Sequence, residues 1–394
     1  MAATSRPRTR PTAGAEGLRR AGYIADVLGC SITLADIRIT QGRLGEALRT
    51  YEQALRLASN RDGTVLRGTA DMYVGMSQIA CERNDLPAAT QHLLHAQELG
   101  EHTWLPQNPY RWRVAMARVR EAEGDLDGAL DLLDEAQRVY MGDFSPNVRP
   151  IPALRARVLA AQGRVAEALA WAREQGLSAT DDLSYLREFE HITLARVLLA
   201  QPGAQGGAAS VDDAARLLAR LLQAAEAGAR TGSALEILVL QALTDHARGD
   251  VPGALAALER ALTLAEPEGY VRVFAGEGPP MASLLRRVAK QRPAWDYVRR
   301  LLHACTRAGG TAAVGQTTPG GQRLVEPLSE RELDVLRLLG SDLDGPDIAR
   351  ELTVSLNTLR THTKSIYAKL GVNSRRAAVR QAAELNLLSR TRDR

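Results

Sequence analysis

The sequence predicts an all-α chain in two parts: a long α-solenoid followed by a compact four-helix unit. Three observations predict it. Alanine-rich helical units recur at spacings near 40 residues across the first three hundred positions. A separate set of four capped helical segments fills residues 328–388. A Gly/Thr-rich stretch without helical periodicity lies between the two.

Residues 1–20 are rich in Arg, Pro, Thr and Ala and lack an apolar stretch. They are expected to be a disordered N-terminal segment and not a secretory signal. From there to residue 305 the repeats follow. They read GRLGEALRTYEQAL at 42, NDLPAATQHLLHAQEL at 84, GDLDGALDLLDEAQ at 124, GRVAEALAWAREQG at 163, VDDAARLLARLLQAAE at 211 and GDVPGALAALERALTLAE at 249. Each is preceded by another apolar-periodic helix, such as ITLADIRITQ before Gly42. A helix pair at this period specifies a stacked solenoid. The Gly or Asn that opens most units ends the first helix of its pair, because a left-handed residue is needed there. Alanines let the paired helices approach closely. The stretch QPGAQGGAAS at 201–210 breaks the spacing and predicts a longer loop.

Residues 306–326, RAGGTAAVGQTTPGGQRLVE with the threonine before it, are expected to be a flexible linker. Such a tether has a root-mean-square span of roughly 25 Å. Residues 327–394 then form the last domain. Ser329 with Glu332 is a capping box, so a helix starts there and runs through Leu333, Leu336 and Leu339. Asp347–Leu352 makes a short second helix, with Pro346 tolerated in its first turn. Ser355 caps a third helix that Gly371 stops near Leu370, and Ser374 caps a fourth.

The third helix has two faces. Leu359, Ile366 and Leu370 share one, with Leu356 and Tyr367 at its margin. Arg360, Thr361, Lys364 and Ala368 share the other. No acidic residue occurs between Glu351 and Glu384, while Arg360, Lys364, Lys369, Arg375, Arg376 and Arg380 do. A helical unit that clears carboxylates from one face suits a phosphate backbone, so double-stranded DNA is the expected partner. Laid in the major groove, Arg360 and Lys364 reach guanine edges. Asn357 and Thr358 lie in the first turn, where free backbone N–H groups favour a phosphate. A merely solvated basic face is the competing reading. The coincidence of acid exclusion, three serine caps and four helices argues against it.

This segment closely resembles the LuxR-type helix-turn-helix domain. LSERELDVL looks like that family's L-T-x-R-E-x-x-V-L signature, and Ile348, Ala349 and Leu352 match I-A-x-x-L. Ser355, Asn357, Thr358, Leu359, Arg360, Thr361 and His362 match S-x-N-T-V-K-x-H; Lys369-Leu370 and Ser374-Arg375 match the K-L and S-R that follow. The resemblance implies base or groove contacts from Arg360, Thr361 and Lys364. It implies backbone contacts from Asn357, Thr358, Lys369 and Arg375, and binding as a homodimer on DNA. The family usually has Ser-Asn with a lysine where this chain has Asp344-Gly345-Pro346.

Composition limits the alternatives. The net charge is +4, and +3 of it falls from residue 323 onward, where 13 Lys and Arg meet 10 Asp and Glu. DNA contact is therefore expected at that end alone. Cys30, Cys81 and Cys305 are far apart and odd in number, and read as free buried thiols of a cytoplasmic protein. No apolar run is long enough for a bilayer, so no membrane partner is expected.

Within the solenoid, Trp104, Tyr110 and Trp112 cluster in TWLPQNPYRW, where they either stack on a ligand or pack between repeats. His92, His95, Glu98 and His102 read as a solvated helix face, so no metal is expected. The region resembles the tetratricopeptide-like regulatory domain of large MalT-like, LuxR-type activators. AEPEGYVRVFAGEGPPMASLLRR at 265–287 looks like the junction such proteins carry before their DNA-binding end. Those activators place an NTPase domain ahead of the repeats. Here the lysines are Lys290, Lys364 and Lys369, none in a GxxxxGK[ST] setting, so no P-loop nucleotide and no other cofactor is expected. We read the sequence as a natural short form or a fragment lacking that switch module. No nucleophile–base pair, metal set or phosphate loop points to an enzyme. The expected function is a DNA-binding transcriptional regulator, with RNA polymerase and a small-molecule or protein effector as further partners. The alternative is an interaction scaffold whose solenoid binds a partner, with DNA binding secondary.

Overall fold

A computed structural model of the chain describes residues 24–58, 65–142, 146–201, 207–312, 330–339 and 345–352, together with Leu359, Thr363 and Ile366. The chain divides into two compact units, Met1–Gly315 and Gln316–Arg394. Every extended element among the described residues is helical.

The first unit opens with six helix pairs. They are α1 (Ile24–Thr40) with α2 (Leu44–Ala58), α3 (Thr69–Glu82) with α4 (Leu86–Glu98), and α5 (Asn108–Glu123) with α6 (Leu126–Arg138). The next three are α7 (Ile151–Ala161) with α8 (Val165–Glu174), α9 (Glu188–Leu199) with α10 (Gly207–Ala227), and α11 (Thr231–Ala247) with α12 (Val251–Ala265). Three more helices follow: α13 (Arg272–Ala275), α14 (Gly278–Gln291) and α15 (Asp296–Ala312).

The turn inside a pair is written in two residues. Gly42, Asn84, Gly124, Gly163 and Gly249 all have positive φ, between 61° and 87°. That conformation ends the first helix at once. In three pairs the next residue caps the second helix: Asp85, Asp125 and Asp250 accept from the N–H of Ala88, Gly128 and Gly253 at 3.0–3.1 Å. In the fifth pair α10 begins at Gly207, four residues before the expected repeat and inside the segment expected to be loop. The even-numbered helices bury small side chains, including Ala47, Ala54, Ala89, Ala96, Ala129, Ala136, Ala254 and Ala261. Close helix approach replaces bulky interdigitation here.

The run of pairs closes on itself. Leu28, Ile32, Leu44 and Tyr51 of the first pair share one core with Leu235, Leu238, Leu258 and Leu262 of the sixth. Phe274 of α13 is fully enclosed in that core. Polar bonds fasten the junction. The Gly45 N–H donates to Glu268 Oε2 at 2.7 Å, and the Val271 N–H donates to the Glu82 carbonyl at 3.0 Å.

Two expectations are corrected. Cys81 and Cys305 are buried, but Cys30 is exposed, because it lies on α1 midway between the inward-facing Leu28 and Ile32. Helix α15 runs to Ala312, seven residues into the segment expected to be linker. No helix among the described residues is long and apolar enough to cross a membrane.

Candidate functional site

The second unit begins with α16 (Glu330–Leu339) and α17 (Gly345–Glu351). Val335, Leu336 and Leu339 of α16 are buried, as are Ile348 and Ala349 of α17. Pro346 stands in the first turn of α17, where its missing N–H costs nothing. Leu359, Thr363 and Ile366 are helical; Leu359 and Ile366 are 4% and 0% exposed, and Thr363 Oγ1 donates to the Leu359 carbonyl at 2.8 Å. The apolar face expected of the third helix is thus turned inward at both of its described positions. Asn357, Thr358, Arg360, Thr361, Lys364, Lys369 and Arg375 lie outside the described residues, as do Leu356, Tyr367 and Leu370.

The first unit encloses a cavity of about 1040 Å³ lined mainly by the odd-numbered helices. Of the three aromatics singled out in the sequence, Tyr110 lines it and meets the Tyr140 ring edge-on at 4.9 Å. The two tryptophans are used between repeats. Trp104 Nε1 donates to the Ala96 carbonyl at 3.3 Å and Trp112 Nε1 to that of Leu93 at 2.9 Å. His95 packs edge-on against Tyr73 and lies 3.5 Å from Glu98.

Periodicity gave no sign of the polar wall inside this lumen. Arg157 on α7 donates to Thr193 Oγ1 at 2.8 Å and to Glu236 Oε1 of α11 at 2.7 Å, with its guanidinium 3.8 Å from the centroid of the Phe189 ring. Arg196 on α9 bridges the same Glu236 at 3.1 Å and Glu277 at 2.6 Å. Arg149 reaches Phe189 as well, at 5.5 Å. Arg157 Nη2 and Arg196 Nε are buried without a hydrogen-bond partner among the described residues.

The electrostatics follow from the crowding. Burial would push the Glu236 carboxyl up, but Arg157, Arg196 and Arg149 together overcome it and hold it at about 2. Arg157 is drawn down to about 10, first by burial; Glu236 opposes the shift, and the like charges of Arg196 and Arg149 add to it. Across the lumen Asp71 is 3% exposed and accepts the Leu105 N–H through Oδ2 at 2.9 Å. Burial raises its carboxyl to about 6.

Comparison with known proteins fits this architecture. Residues 12–291 match the family model of the MalT-like TPR region. The chain belongs to this MalT-like family. Residues 326–382 match the model of the bacterial regulatory proteins of the luxR family. The fold is therefore a tetratricopeptide-like solenoid followed by a LuxR-type helix-turn-helix domain. MalT-like relatives include the HTH-type transcriptional regulator MalT of Yersinia pestis (strain Pestoides F), 27% identical over 375 residues, or 89% of this chain and 40% of the relative. The protein of that name from Yersinia pseudotuberculosis (serotype O:3, strain YPIII) gives the same figures. That of Vibrio cholerae is 28% identical over 163 residues, 38% of this chain and 18% of the relative. The chain thus spans about two fifths of the length of the Yersinia relatives.

Proposed function

We propose that this protein is a DNA-binding transcriptional regulator, governed through its helical repeats. The buried pair Leu359 and Ile366 carries the reading. A helix that turns these positions inward has, by its period, Arg360, Thr361 and Lys364 on the outward side. There they meet base edges in the major groove, while Asn357, Thr358, Lys369 and Arg375 hold phosphates. The relatives are named transcriptional regulators, which supports the reading and argues against an enzyme. The protein binds as a homodimer to two half-sites about 10 bp apart or a multiple of that. The solenoid takes an effector and conveys its presence to RNA polymerase at the promoter, in the cytoplasm.

Fluorescence anisotropy on promoter-derived and random duplexes at two salt concentrations tests this. Arg360→Ala should cost about 1–3 kcal/mol and relax one base preference. Lys369→Ala should weaken every duplex alike and reduce the salt slope by about one. Equal losses on all duplexes for both variants would remove the base-reading role of Arg360. Salt-insensitive binding by the parent chain would remove the DNA reading itself.

A further inference from the structure

The densest positive charge of this chain lies outside its last domain. Residues 278–312, which carry α14 and α15, hold seven Arg and Lys and a single acid, Asp296. That surplus of six exceeds the net charge of the whole chain, +4, and the +3 found from residue 323 onward. The near-neutral sum over residues 1–322 averages it away.

The two helices sort their residues by period. Met281, Leu284, Leu285 and Val288 of α14 and Tyr297, Val298, Leu301 and Cys305 of α15 are buried in one core. The cations take the other side. Arg286, Arg287 and Lys290 on α14, and Arg299 and Arg300 on α15, are all exposed. Residues 292–295 join the helices, a connection short enough for an antiparallel hairpin. Arg287 lies four residues before the end of α14 and Arg300 four residues after the start of α15. Both therefore stand roughly 6 Å along from the connection.

The nearby acids are engaged elsewhere. Asp296 pairs with Arg299, and Glu259 of α12 lies 3.4 Å from Arg292. Glu266 accepts from Trp295 Nε1 at 3.0 Å, and Glu268 from the Gly45 N–H. Arg286, Arg287, Lys290 and Arg300 have no ion pair among the described residues; Arg300 lies over the Tyr297 ring at 5.4 Å. Clustered like charges repel one another, and a polyanion relieves the repulsion.

The surroundings choose among polyanions. The cations are spread along two helices and stay solvated, which fits a row of phosphates better than one small anion. A membrane surface needs apolar side chains turned outward among the charges. Among the described residues, none of the exposed large hydrophobic side chains falls on α14 or α15. Duplex DNA offers about one charge per 1.7 Å of axis.

We propose that the α14–α15 hairpin is a second DNA-contacting surface, on which Arg286, Arg287, Lys290 and Arg300 hold backbone phosphates without reading sequence. It rests on the DNA reading above for its partner.

The experiment is fluorescence anisotropy of the full chain on promoter-derived and random duplexes across a salt series. One variant combines Arg286→Gln, Arg287→Gln, Lys290→Gln and Arg300→Gln. These side chains are exposed, so its thermal unfolding should match the parent. Its affinity should fall about tenfold or more on both duplexes alike, and its slope of log K against log salt should be shallower by about 3–4. A control removes the same charge at Arg56, Arg120, Arg138 and Arg173, exposed elsewhere on the repeats, and should leave the slope within about one of the parent's. An unchanged slope in the hairpin variant, or an equal change in the control, overturns the proposal. A third variant combines Arg360→Ala, Lys364→Ala and Lys369→Ala to separate the two readings. Salt-dependent binding that persists in it and disappears on adding the hairpin substitutions supports the hairpin, whether or not promoter preference is ever seen. Loss of all binding in it, beside a parent-like hairpin variant, removes the hairpin and leaves the reading of the second unit. Displacement of the duplex by polyglutamate at equal charge concentration would point to an acidic protein partner and overturn the choice of DNA.

Discussion

Gly232 tests the closure of the solenoid at a single atom. It lies in the first turn of α11, against the end of α1. A Cβ placed on it would sit 2.6 Å from the Ile39 carbonyl oxygen and 2.9 Å from that of Thr40. Ordinary contact requires the two helices to separate by roughly 0.6–0.8 Å. Both opposing atoms belong to backbone and cannot swing aside. Gly232→Ala therefore incurs an overpacking cost of about 1–3 kcal/mol. Against it stands a gain in helix propensity of at most about 1 kcal/mol, smaller in a first turn. The net is a loss of roughly 1–2 kcal/mol, or about 2–8 °C in Tm for a unit of this size. Gly29 isolates the propensity term, since no heavy atom lies within 4 Å of its would-be Cβ. Gly29→Ala should stabilise by about 0.5–1 kcal/mol. Urea unfolding followed by circular dichroism compares the parent and both variants. If Gly232→Ala proves as stable as Gly29→Ala, α1 and α11 are not in contact and the closed path is wrong.

Further expectations concern the lumen and the turns. Asp71, raised to about 6, binds its proton more tightly folded than unfolded, so its contribution weakens stability as pH climbs from about 4 to 6. Asp71→Asn should remove that decline, worth up to about 3 kcal/mol, in urea midpoints taken from pH 4 to 7; an identical pH profile would count against a buried, ionisable Asp71. Glu236→Gln leaves Arg157 and Arg196 short of their shared anion and should cost roughly 3 kcal/mol, near the lower limit for a buried pair because both arginines keep some exposure. A change below about 0.5 kcal/mol, the usual range of surface substitutions, would mean solvent replaces the pair. Asp125→Ala removes the cap on Gly128 and should lower stability by about 1 kcal/mol in thermal melts, whereas Asp125→Asn should not.

The parts legible in the sequence are those set by neighbours along the chain. A glycine or asparagine at 42, 84, 124, 163 and 249, followed in three cases by a capping aspartate, fixes the helix ends within a few residues. The inward face of the third helix in the second unit follows from a period of 3.6, and Leu359 and Ile366 obey it. The closure does not follow from any local rule. Gly45 and Glu268 are 223 positions apart, and their meeting depends on the small rotation each pair adds to the next. The lumen wall was hidden for the same reason: Arg157 and Glu236 are separated by 79 residues, and each alone resembles a surface charge. The tryptophans left two readings open, stacking on a ligand or packing between repeats, and their N–H groups are engaged by helix carbonyls.

Closure also sets a timetable for biosynthesis. The apolar flank formed by Leu28, Ile32 and Leu44 shares its core with Met72 and Ile79 and is completed by residues 235–274. At translation speeds of roughly 5–20 residues per second, those partners leave the ribosome some 10–40 seconds later. Until then part of the core of the earliest helices is covered by the second pair alone.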